Sequence, residues 1–134
     1  MNVVRYFRSA TIDGSIESIA RQKADTQKFC DNNNYRIIGN FVDVGYSGTN
    51  MDRPDFQRMV DVLNARSNID AIVVTDLSRI SRNHYQSSKF VKDVESKGIK
   101  ILCAADEDST HSMTKEDYEG IIQTFTKIIN SYKK

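Results

Sequence analysis

Arg79 and Arg82 stand three residues apart, just after the apolar run Ala71-Ile72-Val73-Val74 and the polar stretch Thr75-Asp76-Leu77-Ser78. If that stretch begins to wind into a helix, the two guanidiniums fall on one side of it, about one turn apart. Each offers a planar fork of donors, so the pair makes a site for phosphate or carboxylate. The plainer alternative is a solvated loop with two surface arginines. Arg8, Ser47 and Arg53 also lie at strand-like ends or in the loops after them. In open α/β sheets ligands gather beyond the carboxyl ends of the strands, where residues distant in sequence converge. Four arginines, hydroxyls and Asp43, with no metal pattern, suggest phosphoryl transfer by charge stabilisation. Such chemistry asks the protein mainly to position groups and spread negative charge. A hydroxyl nucleophile beside the guanidiniums would be the remaining part.

The chain around these residues is of ordinary composition. Its 134 residues fit one domain with one core, and 39% hydrophobic against 28% charged residues is not a disordered balance. The net charge of +1 carries no bulk basic excess, so phosphate binding must rest on local placement of arginine. No apolar run is long enough to span a bilayer and no signal peptide precedes the first strand, which points to a cytoplasmic protein without membrane partners. Cys30 and Cys103 form no motif and read as reduced thiols; His84 and His111 are isolated. Neither a metal nor another cofactor is expected.

The elements that must position the arginines alternate along the chain. Val3 to Phe7 reads as a strand ending at Arg8-Ser9-Ala10-Thr11, and Ser15 is a plausible N-cap for a helix over 16–31. That helix has a thin apolar face of Ile16, Ile19, Ala20 and Ala24. Asn32-Asn33-Asn34 ends it, and residues 36–42 give a second strand. The polar stretch from Asp43 to Met51 is expected to be a mobile loop. Asp52-Arg53-Pro54 starts the next helix, with Asp52 as cap and proline in the first turn; Phe56, Met59, Val60 and Leu63 form its core stripe. After the Ala71–Val74 strand comes a helix over 85–97 with Phe90, Val91 and Val94 inward, closed by Gly98, and then a strand over 100–104. This alternation predicts a three-layer αβα fold with a mainly parallel sheet of four to five strands, Ala71–Val74 central.

Beyond the polar segment 106–114, Tyr118, Ile121, Ile122, Phe125, Ile128, Ile129 and Tyr132 fall at three-four spacing on one helix. That stripe suits either a last helix packed on its own sheet or an oligomer seam. The expected organisation is an α/β domain over 1–112 and the start of a long interface helix over 113–134.

Four motifs in order resemble the catalytic domain of serine recombinases, the resolvase/invertase family, and above all its large members. Tyr6-Phe7-Arg8 with the hydroxyl-rich turn after it resembles the opening Tyr-x-Arg-x-Ser motif. Ser18-Ile19-Ala20-Arg21-Gln22 is similar to the Ser-Ile-x-x-Gln segment. Asp43-Val44-Gly45-Tyr46-Ser47-Gly48 with Asp52-Arg53-Pro54 resembles the mobile loop and following helix start. Leu77-Ser78-Arg79-Ile80-Ser81-Arg82-Asn83 resembles the Leu-Asp/Ser-Arg-Leu-x-Arg-Asn signature. The resemblance covers nearly the whole chain.

It implies site-specific recombination of double-stranded DNA without metal or high-energy cofactor. A serine hydroxyl attacks the phosphodiester, leaving a 5′-phosphoserine link and a free 3′-hydroxyl, and subunits of a tetramer exchange partners before rejoining. Arg8, Arg53, Arg79 and Arg82 would hold the scissile phosphate, supported by Gln22, Asp43 and Ser47. The terminal helix would join copies of the chain into dimers and tetramers. The family's DNA-binding region has no counterpart in this sequence, so the chain is expected to be a fragment.

Two positions depart from the family pattern. The nucleophile's place is taken by Ala10, which carries no oxygen; Ser9 is the neighbouring candidate, although strand alternation turns it to the face opposite Arg8. Ser78 stands where many members carry Asp, which puts proton transfer to the leaving oxygen in doubt, with Asp76 nearby. The alternative to an enzyme is therefore a non-cleaving DNA-binding and oligomerisation module with the recombinase fold.

Overall fold

A computed structural model describes residues 1–48 and 51–105. The boundary expected between residues 112 and 113, and the terminal helix, lie outside the described residues. Strands β1 (Asn2–Ser9), β2 (Arg36–Val44), β3 (Ala71–Val74) and β4 (Lys100–Cys103) form one all-parallel sheet in the order β2-β1-β3-β4. Helices α1 (Ser15–Asn33), α2 (Pro54–Ala65) and α3 (His84–Glu95) cover it, and a single 3-10 turn (Leu77–Arg79) follows β3.

The expected three-layer αβα architecture is the one found, with four strands among the described residues. Alternation along β1 divides the core in two. Val4 and Tyr6 join Phe56, Met59 and Leu63 of α2 and Val94 of α3 on one face; Val3 joins Phe29 and Cys30 of α1 on the other. Ala71–Val74 is an interior strand whose four residues are all buried, as a strand with both faces covered requires.

Helix α1 turns a different face inward than its aliphatic residues suggested. Ile16 is 85% exposed, while Gln22, Thr26, Phe29 and Cys30 are buried. The cause lies in β1, where Arg5 points into this layer and is itself buried. Its guanidinium donates to Asn40 Oδ1 (2.7 Å), the Lys23 carbonyl (3.2 Å) and Thr26 Oγ1 (3.3 Å). A layer holding a buried cation needs hydrogen-bonding side chains more than aliphatic ones.

Both caps expected at the helix starts are also displaced. Gly14, in the left-handed region, occupies the cap position of α1, with Ser15 its first helical residue. At α2 the cap position is Arg53 rather than Asp52, and no side chain caps from it. Asp43 of β2 reaches across instead, accepting from the Asp55 N–H through Oδ1 and the Phe56 N–H through Oδ2, both at 3.0 Å. A carboxylate at a helix N-terminus satisfies free N–H groups and favours the dipole, wherever in the chain it originates.

Candidate active site at the carboxyl edge of the sheet

Strands β1 and β3 are neighbours, so the residues following each emerge side by side. Arg8 sits near the end of β1 on the same face as Tyr6, in register with Asp43 of β2. The 3-10 turn after β3 brings its carbonyls to that guanidinium. Arg8 Nε donates to the Arg79 carbonyl (3.2 Å), Nη2 to the Ser78 carbonyl (2.8 Å) and Nη1 to the Tyr46 carbonyl (2.9 Å). Its side chain is fully buried. Burial, and then the nearby Arg53, Arg79 and Arg82 charges, lower the Arg8 pKa, with Tyr6 acting the other way.

Arg53 is also fully buried. It donates to the Arg79 carbonyl (2.9 Å), the Tyr6 hydroxyl (3.0 Å) and the Ile80 carbonyl, and its face lies 4.7 Å from the Phe56 ring centroid. Its Nε is buried with no partner among the described residues. The Tyr6 hydroxyl in turn donates to Asp43 Oδ2 at 2.7 Å. Burial, followed by that bond to Asp43, drives the Tyr6 phenol far above its ordinary value. Tyr6, Asp43 and Arg53 thus form an interior chain that ties β1, β2, the start of α2 and the 3-10 turn together.

The backbone of Arg8 is clamped from the other side. Gln22 accepts from the Arg8 N–H (3.1 Å) and donates to the Arg8 carbonyl (2.9 Å), and Arg79 Nη1 donates to that same carbonyl (3.1 Å). Arg79 also lies 3.4 Å from Thr75 Oγ1 and 3.8 Å from Asp76 Oδ2 through its Nε. It is less buried than Arg8 and Arg53, and it borders a cleft of about 360 Å³ between α1 and the end of β3, with Gln22, Arg21, Thr75 and Asp76 in the walls. Arg82 is exposed.

The structure therefore gathers Arg8, Arg53, Arg79 and Arg82 at one edge and divides them into an inner and an outer pair. Ser47 lies exposed in the loop after β2. The described part of that loop is pinned: Gly45 and Tyr46 N–H groups donate to the Ser9 carbonyl, and Ser81 Oγ and the Arg82 N–H donate to the Gly48 carbonyl. A Cβ at Gly48 would sit 2.6 Å from Arg82 Cγ and 2.8 Å from Arg8 Nη2, so any side chain there would force those arginines to shift. Ala10 is exposed just past β1. Ser9 is buried, and its hydroxyl donates to the Thr11 carbonyl (2.9 Å), turned back into its own loop.

Sequence reasoning gave no role to Tyr6, Tyr46 or Gly48. For Tyr6 a signal existed: it stands two residues before Arg8 in a strand, hence on the same face. The Tyr46 contact comes from a backbone carbonyl, which no side-chain pattern announces.

The chain is a parallel α/β domain whose carboxyl edge carries a guanidinium cluster. The family pattern "Resolvase, N terminal domain" matches residues 3–133, and the chain belongs to that family. Among solved structures it is similar to the N-terminal catalytic domain of TP901-1 integrase. There the identity is 24% and the TM-score 0.78, covering 98% of this chain and 93% of that one. It is similar also to a resolvase family site-specific recombinase from Streptococcus pneumoniae, at 24% identity and TM-score 0.70 over 97% and 91% of the two chains. The C-terminal catalytic domain of ISC1926 TnpA, an IS607-like serine recombinase, gives 18% identity and TM-score 0.71 over 98% and 83%. At these identities the likenesses establish the fold. No curated protein matches the chain. No helix among the described residues is long and apolar enough to cross a membrane.

Proposed function

We propose that this chain is the catalytic core of a site-specific recombinase acting on double-stranded DNA through a 5′-phosphoserine link, with the attacking position occupied by Ala10. The observation that carries this reading is Arg79, anchored to the Arg8 carbonyl while bordering an open cleft. A guanidinium fixed on one side and open on the other is preorganised for a phosphodiester, which is where charge stabilisation is most effective. In this reading Arg79 and Arg82 meet the scissile phosphate. Arg8, Arg53, Gln22 and Asp43 hold the edge in place, Ser47 lies on the loop above it, and Ser78 stands beside the leaving oxygen. Copies of the chain associate through the 113–134 helix, and the reaction takes place in the cytoplasm.

Hydroxyl attack needs the oxygen about 3–3.5 Å from phosphorus and in line with the leaving oxygen. Ala10 supplies no oxygen, and the Ser9 hydroxyl is engaged with Thr11. Those two facts favour a second reading, a binding and assembly module that keeps the fold and does not cut. One experiment separates them: incubation with randomised duplex DNA followed by a denaturing gel, where covalent protein retards the labelled strand. The core reading expects no adduct from the unaltered chain, an adduct from Ala10→Ser, and little further effect of Ser9→Ala in that background. No adduct from Ala10→Ser supports the non-cutting module. An adduct from the unaltered chain that Ser9→Ala removes would make Ser9 the nucleophile.

A further inference from the structure

A groove of about 430 Å³ lies between α3 and Met51, just before α2. Its inner side is apolar, because Met51 and Phe90 are partly buried and pack against the main core. Its outer side is polar and carries Asn83, Gln86 and Lys89, and the ring of Tyr85 beside them is 58% exposed. That volume falls within the range of small-molecule sites.

The bonds already made around the groove decide what it offers a ligand. Asn83 Oδ1 accepts from the Gln86 N–H (3.1 Å), which leaves the Asn83 NH2 group as a donor. Gln86 Oε1 is anchored 2.8 Å from the Ser81 hydroxyl. No ion pair among the described residues engages Lys89, although Asp93 follows one turn later in the same groove. The groove also continues the candidate site. Asn83 comes directly after Arg82, and Ser81 Oγ, which holds Gln86, also lies 2.9 Å from the Gly48 carbonyl oxygen. An exposed aromatic ring beside a free ammonium is the combination that holds unpaired nucleotides, the base on the ring and the phosphate on the cation. Paired DNA hides the faces of its bases, so such a ring selects a strand end. An apolar peptide would use Met51 and Phe90 and leave both the ammonium and the amide donor idle.

We propose that this groove holds the unpaired nucleotide at the free 3′-hydroxyl end of a cut strand, with its base on Tyr85 and its phosphate beside Lys89. The proposal rests on the recombinase reading above. In that reading cleavage ties the 5′ side of the break to the protein and leaves the 3′ side to noncovalent contacts alone. A groove adjoining Arg82 keeps the loose end near the phosphate that it must attack to rejoin the strand. Tyr85 and Lys89 are then positioning residues for the rejoining step.

The test titrates the unaltered chain against labelled DNA hairpins of three kinds: blunt, ending in a short unpaired 3′ overhang, or carrying that overhang without its bases. Fluorescence anisotropy should show the full overhang bound about tenfold more tightly than either control. Tyr85→Ala should remove that preference and Tyr85→Phe should keep it. Lys89→Gln should weaken binding of the overhang and lower the slope of log affinity against log salt by about 0.7. No preference for the full overhang, or a preference that survives Tyr85→Ala, overturns the proposal. A change in sedimentation of the DNA-free chain on Tyr85→Ala would assign the groove to a second copy and overturn it equally. Adduct formation by the Ala10→Ser chain on duplex DNA tests the recombinase reading separately. An adduct without any overhang preference leaves that reading intact and removes the groove's role alone, whereas no adduct removes the reading and the assignment to a cut strand with it.

Discussion

The inner and outer arginines of this edge are chemically the same residue in two different occupations. Arg8 and Arg53 are fully buried and direct their donors at the carbonyls of Tyr46, Ser78, Arg79 and Ile80. Arg79 and Arg82 keep access to solvent. A 3-10 turn leaves carbonyls without helical partners, and two such turn residues here face the interior, where an unpaired carbonyl is costly. The inner pair supplies those carbonyls with donors and so fixes the turn that presents Arg79. Proximity of four guanidiniums therefore does not leave all four equally free: in this structure backbone carbonyls already engage the inner pair.

The strongest way to break that division is to remove an inner member. Arg53→Met should destabilise the fold by about 3–4 kcal/mol, because the Arg79 and Ile80 carbonyls lose a donor inside the protein. Chemical denaturation measures this, and a loss below about 1 kcal/mol would show that the turn does not depend on Arg53. Next comes Asp43→Ala, which frees two N–H groups of α2 and the Tyr6 hydroxyl together. About 2–3 kcal/mol is expected, with Asp43→Asn losing less because it retains one acceptor.

Tyr6→Phe sharpens the comparison through pH. The phenol is held protonated in the folded chain well above its ordinary pKa of 10. A raised folded-state pKa means the folded chain keeps a proton that the unfolded chain releases. The resulting stability is complete below pH 10 and is lost progressively as pH rises beyond it. Denaturation midpoints should therefore fall more steeply above that pH in the parent than in Tyr6→Phe, whose own cost at neutral pH is about 1 kcal/mol. Parallel curves would contradict the buried Tyr6–Asp43 bond. The smallest effect belongs to the outer pair: Arg82→Ala should change stability by no more than about 0.5 kcal/mol, as at an ordinary exposed site.

Much of this arrangement was legible in the sequence because it follows from periodicity. The continuous apolar run at Ala71–Val74 identified the interior strand, and the Phe56–Met59–Leu63 stripe placed α2 on the core. The placement of Arg8, Arg53 and Arg79 at strand ends and in the loops after them put these residues at one edge, and the family resemblance added Gln22 and the supporting role of Asp43. What remained hidden depends on long-range polar pairing. Asp52 is the nearer cap by sequence, yet Asp43 does the capping from a neighbouring strand. Ile16 and Ala20 make the apolar side of α1 on a helical wheel, yet buried Arg5 selects Gln22 and Thr26 for the inner face. Sequence spacing also could not divide the arginines, because the carbonyls that occupy Arg8 and Arg53 belong to the backbone.

The central claim, that only the outer guanidiniums are available to a phosphate, can be read from arginine side-chain resonances of the unaltered chain during titration with a dinucleotide phosphodiester. Arg79 and Arg82 Nε–H signals should shift together and saturably, while those of Arg8 and Arg53 stay in place. Saturable shifts of Arg8 and Arg53 at the same ligand concentration would contradict the account, since they would mean the inner pair gives up its carbonyls to bind phosphate.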